Sequence, residues 1–222
     1  MARTARAEGA NGAAEPLFLR NHWYVAAWSD EVTREPLARV VLGEYLVLYR
    51  AEDGTAVALE NRCPHRNLPL SEGNLVGDSL ECGYHGMVFG PDGRCSHLPG
   101  AETAPDWACV QAYPVVERRG WVMVWMGDPA EADPALAPDH FERLDDPDWF
   151  AIKGYCDAQC GYRLILDNLL DLSHLAYVHA STTGNRELAE QATISAETVG
   201  DSVRVTRWMS DVPPARALID YA

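Results

Sequence analysis

The 222-residue chain has no apolar run approaching the ~20 residues that cross a bilayer, so no membrane-spanning helix organises it. It is short of basic residues: 18 Lys and Arg stand against 33 Asp and Glu, for a net charge of −15. No basic stripe stands out, which removes the electrostatic footprint of a nucleic-acid binder. Acidity by itself reports solubility and names no partner. Residues 1–15 are rich in Ala and Gly, carry Arg3 and Arg6, and lack the apolar block of a secretory signal. Residues 1–16 are therefore expected to be a loose tail on a cytoplasmic protein. Cysteine is sparse, at six, and a mid-sized chain without an export signal is not expected to be a disulfide scaffold. Cys95, Cys109, Cys156 and Cys160 read as small, mostly buried, inert side chains, and Cys156-x-x-x-Cys160 is too loose for a metal or redox pair. No internal repeat is present.

An apolar share of 47% is enough for a real core. Residues 40–126 read as short strands. Val40-Val41-Leu42 and Tyr45 to Tyr49 flank Gly43-Glu44, taken as a tight hairpin turn. Thr55 to Leu59 follows the Asp53-Gly54 turn, and Leu75-Val76 and Ser79-Leu80 bracket Gly77-Asp78. Met87-Val88-Phe89 runs into Gly90-Pro91-Asp92-Gly93, and a charged turn ending in Gly120 separates Val115-Val116 from the strand Trp121–Met126. Strands this short, at this turn density, indicate a small antiparallel sandwich or barrel. A Pro/Asp-rich connector follows over residues 128–148. Beyond it, residues 149–160 look extended, residues 162–179 carry apolar side chains at helical spacing, and Thr183-Gly184 closes that segment. Residues 192–199 and 203–208 read as strands around Gly200-Asp201. The expected class is α+β.

Two Cys/His pairs carry the first chemistry. Cys63-Pro64-His65 and Cys82-Gly83-Tyr84-His85 lie in Gly/Pro-bearing loops, with sixteen residues, including a hairpin, between His65 and Cys82. Thiolate and imidazole donors could suit zinc or an iron–sulfur cluster. The C-x-H spacing departs from the usual C-x₂₋₄-C and H-x₃₋₅-H of zinc sites. One Cys and one His from each loop suit a cluster with a cysteine iron and a histidine iron, whose imidazoles lower the negative charge and raise the potential. These residues resemble the Rieske motif, C-x-H followed by C-x-x-H, and Arg62, Arg66, Gly83 and Gly86 share in the likeness. The resemblance implies that Cys63 and Cys82 hold one iron and His65 and His85 the other. Leu68 and Tyr84 stand where the cytochrome-complex branch has a disulfide, which points to the oxygenase or ferredoxin branch.

The helical segment supplies a second constellation, Asn168, Asp171, His174 and His179. Asp171 and His174, three apart, are expected to share a helix face. His174 and His179, five apart, lie about 140° around an ideal helix and cannot both face one atom unless the helix ends or distorts near Tyr177. Neutral imidazoles suit ferrous iron in a 2-His-1-carboxylate site, although alone such a pair could equally be solvated or satisfied in the core. N-x-x-D-x-x-H-x-x-x-x-H resembles the mononuclear iron motif of Rieske non-haem iron oxygenases, and it follows the Rieske motif in the expected order.

That resemblance implies His174 and His179 as iron ligands. It implies Asp171 as a bridge to a Rieske histidine of a neighbouring chain in a head-to-tail homotrimer, and Asn168 as a residue near the iron. The third ligand should be a downstream carboxylate; Glu187, Glu190, Asp211 and Asp220 are at hand, but none sits in a matching motif. The likeness covers residues 17–222, with a Rieske domain over 17–127 and the opening part of a helix-grip-like catalytic domain over 149–222. A shortened form of the enzyme is therefore expected. Residues 21–28 and 167–174 look most like the vanillate O-demethylase and dicamba monooxygenase branch. The function implied is O₂-dependent demethylation or hydroxylation of a small aromatic compound. Electrons would come from NAD(P)H through a reductase or ferredoxin, by way of the [2Fe–2S] cluster and Fe(II). A stand-alone Rieske electron carrier and a zinc-binding structural protein are the rival expectations.

Overall fold

Glycine-bearing turns cut residues 22–126 into eleven short strands in the computed structural model, which describes residues 18–200 and 202–213. In chain order these are β1 (His22–Trp28), β2 (Leu37–Val41), β3 (Glu44–Arg50), β4 (Ala56–Glu60), β5 (Asn74–Val76) and β6 (Ser79–Glu81). β7 (Val88–Phe89), β8 (Cys95–His97), β9 (Ala112–Tyr113), β10 (Val115–Arg118) and β11 (Trp121–Met126) follow. They pair antiparallel as three sheets, β1-β11-β10, β2-β3-β4-β9 and β5-β6-β7-β8. The first hairpin turns one residue earlier than expected. Val41 pairs with Glu44, and the turn is Leu42-Gly43, both with positive φ (52° and 82°). A two-residue turn of that hand wants its glycine second, not first. β1, β8 and β9 were not anticipated; β8 and β9 are only three and two residues long, too short to show a period.

Period-two alternation then sorts side chains into layers. Along β3, Leu46 and Leu48 face one core while Val47 and Tyr49 face another; along β4, Ala56 and Ala58 part from Val57 and Leu59 in the same way. The central sheet is thus buried on both faces. One core lies between it and β1-β11-β10, lined by Ala26, Val122, Val124 and Met126. The other lies between it and β5–β8, and contains Leu70, Leu80, Phe89 and both Cys63 and Cys82. The outer face of β11 is covered as well: Trp23, Met123 and Trp125 bury against Ala137 of the Pro/Asp-rich stretch. Asp128 and Asp133 each cap a short 3₁₀ turn opened by the following proline, and their carbonyls accept the indole N–H groups of Trp125 and Trp23, both at 2.8 Å. Residues 128–145 therefore cover the outer face of the β1-β11-β10 sheet.

The chain divides into two compact units, residues 1–152 and 153–222. In the second unit, α1 (Tyr162–Leu170) is followed by a 3₁₀ turn (Leu172–His174), α2 (Leu175–Val178), α3 (Arg186–Glu190) and a hairpin of β12 (Thr193–Val199) with β13 (Ser202–Trp208). Residues 149–160 join no sheet, because no neighbouring strand pairs with them. The expected tail, residues 1–16, lies outside the described residues.

Four cysteines depart from expectation. Cys109, Cys156 and Cys160 are exposed and Cys95 is half-buried, whereas only Cys63 and Cys82 are buried. Cys109 sits at a single isolated bridge to Arg94, and Cys156 and Cys160 lie in the stretch without regular structure, so no sheet face covers them.

Candidate metal centres

The two Cys/His loops leave the same core at equivalent places, one after β4 and one between β6 and β7. Their backbones repeat each other. The Cys63 N–H donates to the Leu68 carbonyl (2.9 Å) and the Cys63 carbonyl accepts from Asn67 N–H (2.8 Å). The Cys82 N–H donates to the Met87 carbonyl (2.8 Å) and the Cys82 carbonyl accepts from Gly86 N–H (3.0 Å). Each loop turns back through a left-handed residue four after its cysteine, Asn67 (φ 60°) and Gly86 (φ 73°). Asn and Gly are the residues that tolerate this conformation. In the first loop Arg62 Nε donates to Asn67 Oδ1 (2.9 Å), holding the left-handed turn from outside.

This scaffold divides the four side chains by chemistry. Cys63 and Cys82 are each only 2% exposed and lie in the same core cluster. Burial pushes the Cys63 thiol up, while N–H groups of His65 and Arg66 directed at its sulfur pull it down. His65 and His85 are exposed, with ring centroids 4.6 Å apart. Tyr84, more than half exposed, lies against His85 at 3.9 Å. The sulfurs thus lie inward and the imidazoles outward. A two-iron cluster requires that division, with thiolates on one iron and imidazoles on the other. A structural zinc site would bring all four donors to one ion. The donor set fits the cluster.

The second constellation is built from a broken helix. α1 ends at Leu170, and Asp171 adopts an extended conformation (φ −93°, ψ 98°). Its carboxylate Oδ1 accepts from the Ser173 N–H (2.9 Å) and hydroxyl (2.6 Å), capping the next turn. Those two bonds hold the carboxyl below its ordinary value. Asp171 and His174 therefore do not share a helix face; capping chemistry overrides the i, i+3 expectation. Instead, His174 Nδ1 lies 2.6 Å from the Asp171 carbonyl. A carbonyl only accepts, so Nδ1 carries the proton and Nε2 keeps its lone pair for a metal. α2 ends at Val178 and His179 leaves the helix (φ −113°, ψ 24°), the termination near Tyr177 that the spacing required. The result is two imidazoles with centroids 5.5 Å apart, inclined at 68°.

Gly184 locks this arrangement. Its N–H donates to the His179 carbonyl (3.0 Å), and a Cβ there would collide with the Leu175 carbonyl oxygen. Its place after the helix was legible; its contact with the turn between the histidines was not. Asn168 is exposed on the last turn of α1. Glu187 and Glu190 lie on α3 and Asp211 follows β13, but among the described residues none joins the histidines in a three-ligand group. Asp220 lies outside the described residues.

The sequence matches the Rieske [2Fe–2S] domain family over residues 22–114 and the vanillate O-demethylase oxygenase C-terminal domain family over residues 158–221. It is 47% identical over 195 residues to the iron-sulfur subunit of a toluene-4-sulfonate monooxygenase system from Comamonas testosteroni, covering 86% of this chain and 56% of that one. It is 42% identical over 200 residues to a vanillate O-demethylase oxygenase subunit from a Pseudomonas species, covering 89% of this chain and 56% of the relative. Among solved structures, dicamba monooxygenase bound to 3,6-dichlorosalicylic acid superposes with a TM-score of 0.84 at 37% identity, covering 92% of this chain and 60% of that one. The chain thus spans little more than half the length of these relatives.

Proposed function

Because the chain belongs to the vanillate O-demethylase/dicamba monooxygenase branch of the Rieske oxygenases, we propose that it is the oxygenase component of an aromatic monooxygenase, binding a [2Fe–2S] cluster through Cys63, His65, Cys82 and His85 and ferrous iron through His174 and His179. The observation that carries this reading is the sorting of buried thiols from exposed imidazoles on two equivalent loops. When bound, the cluster passes single electrons and the ferrous ion supplies oxygen activation.

The protein's own part is positional. Burial in the apolar core shields Cys63 and Cys82 from solvent and from oxidation, while His65 and His85 offer an exposed edge to a reductase or ferredoxin that draws on NAD(P)H. The Asp171 carbonyl engages His174 Nδ1, so Nε2 would be the atom left to hold the metal. The Asp171 carboxylate is the group that would reach a Rieske histidine of a neighbouring chain in a homotrimer, and Asn168 would sit near the iron. For the substrate we favour a small aromatic ether or a related arene, by analogy with the named substrates of the vanillate and dicamba relatives.

A second reading stays with the cluster alone, whose four donors the two equivalent loops carry. On that reading the chain is a Rieske electron carrier without oxygen chemistry. One experiment separates the two. Anaerobic reconstitution with iron and sulfide should give the reduced-state electron paramagnetic resonance of a mixed-ligand cluster. Cys82→Ala should abolish that signal, and His179→Ala should leave it intact. Oxygen uptake that depends on an aromatic substrate, with reductase present, supports the oxygenase. Reduction of the cluster without such uptake supports the carrier, and a colourless protein would sink both.

A further inference from the structure

Among the described residues one polar side chain is buried in the first unit, Asn61, at 7% exposure. It is the first residue after β4 and lies two before Cys63. A buried amide is costly unless its donors and acceptors are met, and here they are. The Asn61 side-chain Nδ2 donates to Ser71 Oγ (2.9 Å), and Asn61 Oδ1 accepts from the Ser71 N–H (2.8 Å). Its backbone N–H donates to the Tyr45 carbonyl (2.8 Å), anchoring the residue to β3. Asn61 therefore holds the start of the first cysteine loop to the turn Leu70–Glu72 that follows it.

That turn also touches the second loop. A Cβ at Gly83 would stand 3.0 Å from the Glu72 carbonyl oxygen, and one at Gly73 would collide with the Glu81 carbonyl oxygen. The turn is thus pressed against the residues on either side of Cys82, with no room for a side chain at Gly73 and little at Gly83. Leu70, fully buried, packs in the same core cluster as Cys63 and Cys82. A continuous path runs from the Tyr45 carbonyl through Asn61 and Ser71 to the backbone at Glu81 and Gly83. It links the two loops.

We propose that Asn61, acting through Ser71, is a positioning residue that fixes the spacing between the two cysteines and so the stability and electronic environment of the cluster. This rests on the assignment of Cys63, His65, Cys82 and His85 as cluster ligands. Asn61 touches neither iron nor sulfur in this account; it acts through the turn.

The test uses the reconstituted 222-residue chain and three variants: Asn61→Ala, Asn61→Asp and Ser71→Ala. Asn61→Asp keeps the acceptor for the Ser71 N–H and can accept from the Ser71 hydroxyl, to which the parent amide donates, whereas Asn61→Ala can do neither. Loss of colour to an iron chelator should be roughly 10-fold faster in Asn61→Ala, the usual scale for an outer partner of a metal site. Asn61→Asp should recover most of the resistance. The reduced-state g-values and the midpoint potential should shift in Asn61→Ala. In the protein stripped of metal, the Ser71 amide should exchange its hydrogen faster in Asn61→Ala than in the parent. Should Asn61→Ala fail to fold by circular dichroism, Ser71→Ala carries the test, since it removes one hydroxyl and leaves the Ser71 N–H bond in place. Parent-like chelator resistance, g-values and potential in whichever of these variants folds would overturn the proposal while leaving the ligand assignment standing. A parent protein with no cluster signal would overturn the ligand assignment and this inference with it.

Discussion

A glycine decides the geometry of the histidine pair. Gly184 packs where any Cβ would meet the Leu175 carbonyl, and its N–H donates to the His179 carbonyl. The turn after α2 can therefore close only on a residue without a side chain. Gly184→Ala must push that turn away from Leu175, at a cost of about 1–3 kcal/mol by analogy with overpacked sites. It should also part the two imidazoles. Each ring now lies in the ring-current field of the other, with centroids 5.5 Å apart. In Gly184→Ala, the ring-proton resonances of His174 and His179 should move toward the values of free histidine. The same resonances unmoved would mean that some other contact sets the pair. Here the sequence was half informative. The five-residue spacing demanded a distortion near Tyr177, and the chain ends its helix there. The second break, at Asp171, was missed because a capping aspartate and a helix-surface aspartate look alike until the backbone is known.

At the level of elements, what was legible in the sequence was whatever turn chemistry and period-two patterns write locally. β2, β3, β5, β6, β10 and β11 emerged from glycine turns flanked by apolar alternation. β8 and β9 did not, because a strand of two or three residues is defined by its partner and not by its own pattern. The joint between sheets was likewise unreadable. Arg50, at the end of β3, donates to both carboxylate oxygens of Glu117 on β10 (2.9 and 3.0 Å) and to the carbonyls of Ser29, Val32 and Gly54. One guanidinium fork thus ties two sheets together, in a way lysine could not reproduce. Arg50 holds the Glu117 carboxyl below its ordinary value of 4.5. A carboxyl depressed on folding contributes its stability at pH values above its unfolded value, and loses it as pH falls through the depressed one. Glu117→Gln should therefore lower stability at neutral pH and bring little further loss from this site on acidification. Urea unfolding of both proteins across the acid range measures this, and parallel pH curves for parent and variant would discount the pair.

On the scale of the whole molecule, burial is unevenly shared. The first unit holds three apolar clusters; in the second, among the described residues, Ala176 is the one buried apolar side chain. β12 and β13 place Ile194 and Ala196 opposite Arg207 and Val205 on one face, yet every residue of β12 is exposed. A lone hairpin is marginal in water, and short helices draw little strength from propensity. The second unit should therefore open far more readily than the first. Trypsin has sites at Lys153 and Arg163, in and just after a stretch that carries no sheet or helix before Tyr162. Brief digestion under native conditions should leave a fragment ending near Lys153, with its colour if the cluster is in place, and reduce the remainder to small peptides. Survival of residues 164–222 as long as the first unit would show that the second unit has a stability of its own, beyond what its buried surface can provide. The division also explains why the cluster loops were easier to read than the iron site. The loops grow from a core that their own unit completes, whereas the histidines hang on caps and one glycine contact that no local pattern announces.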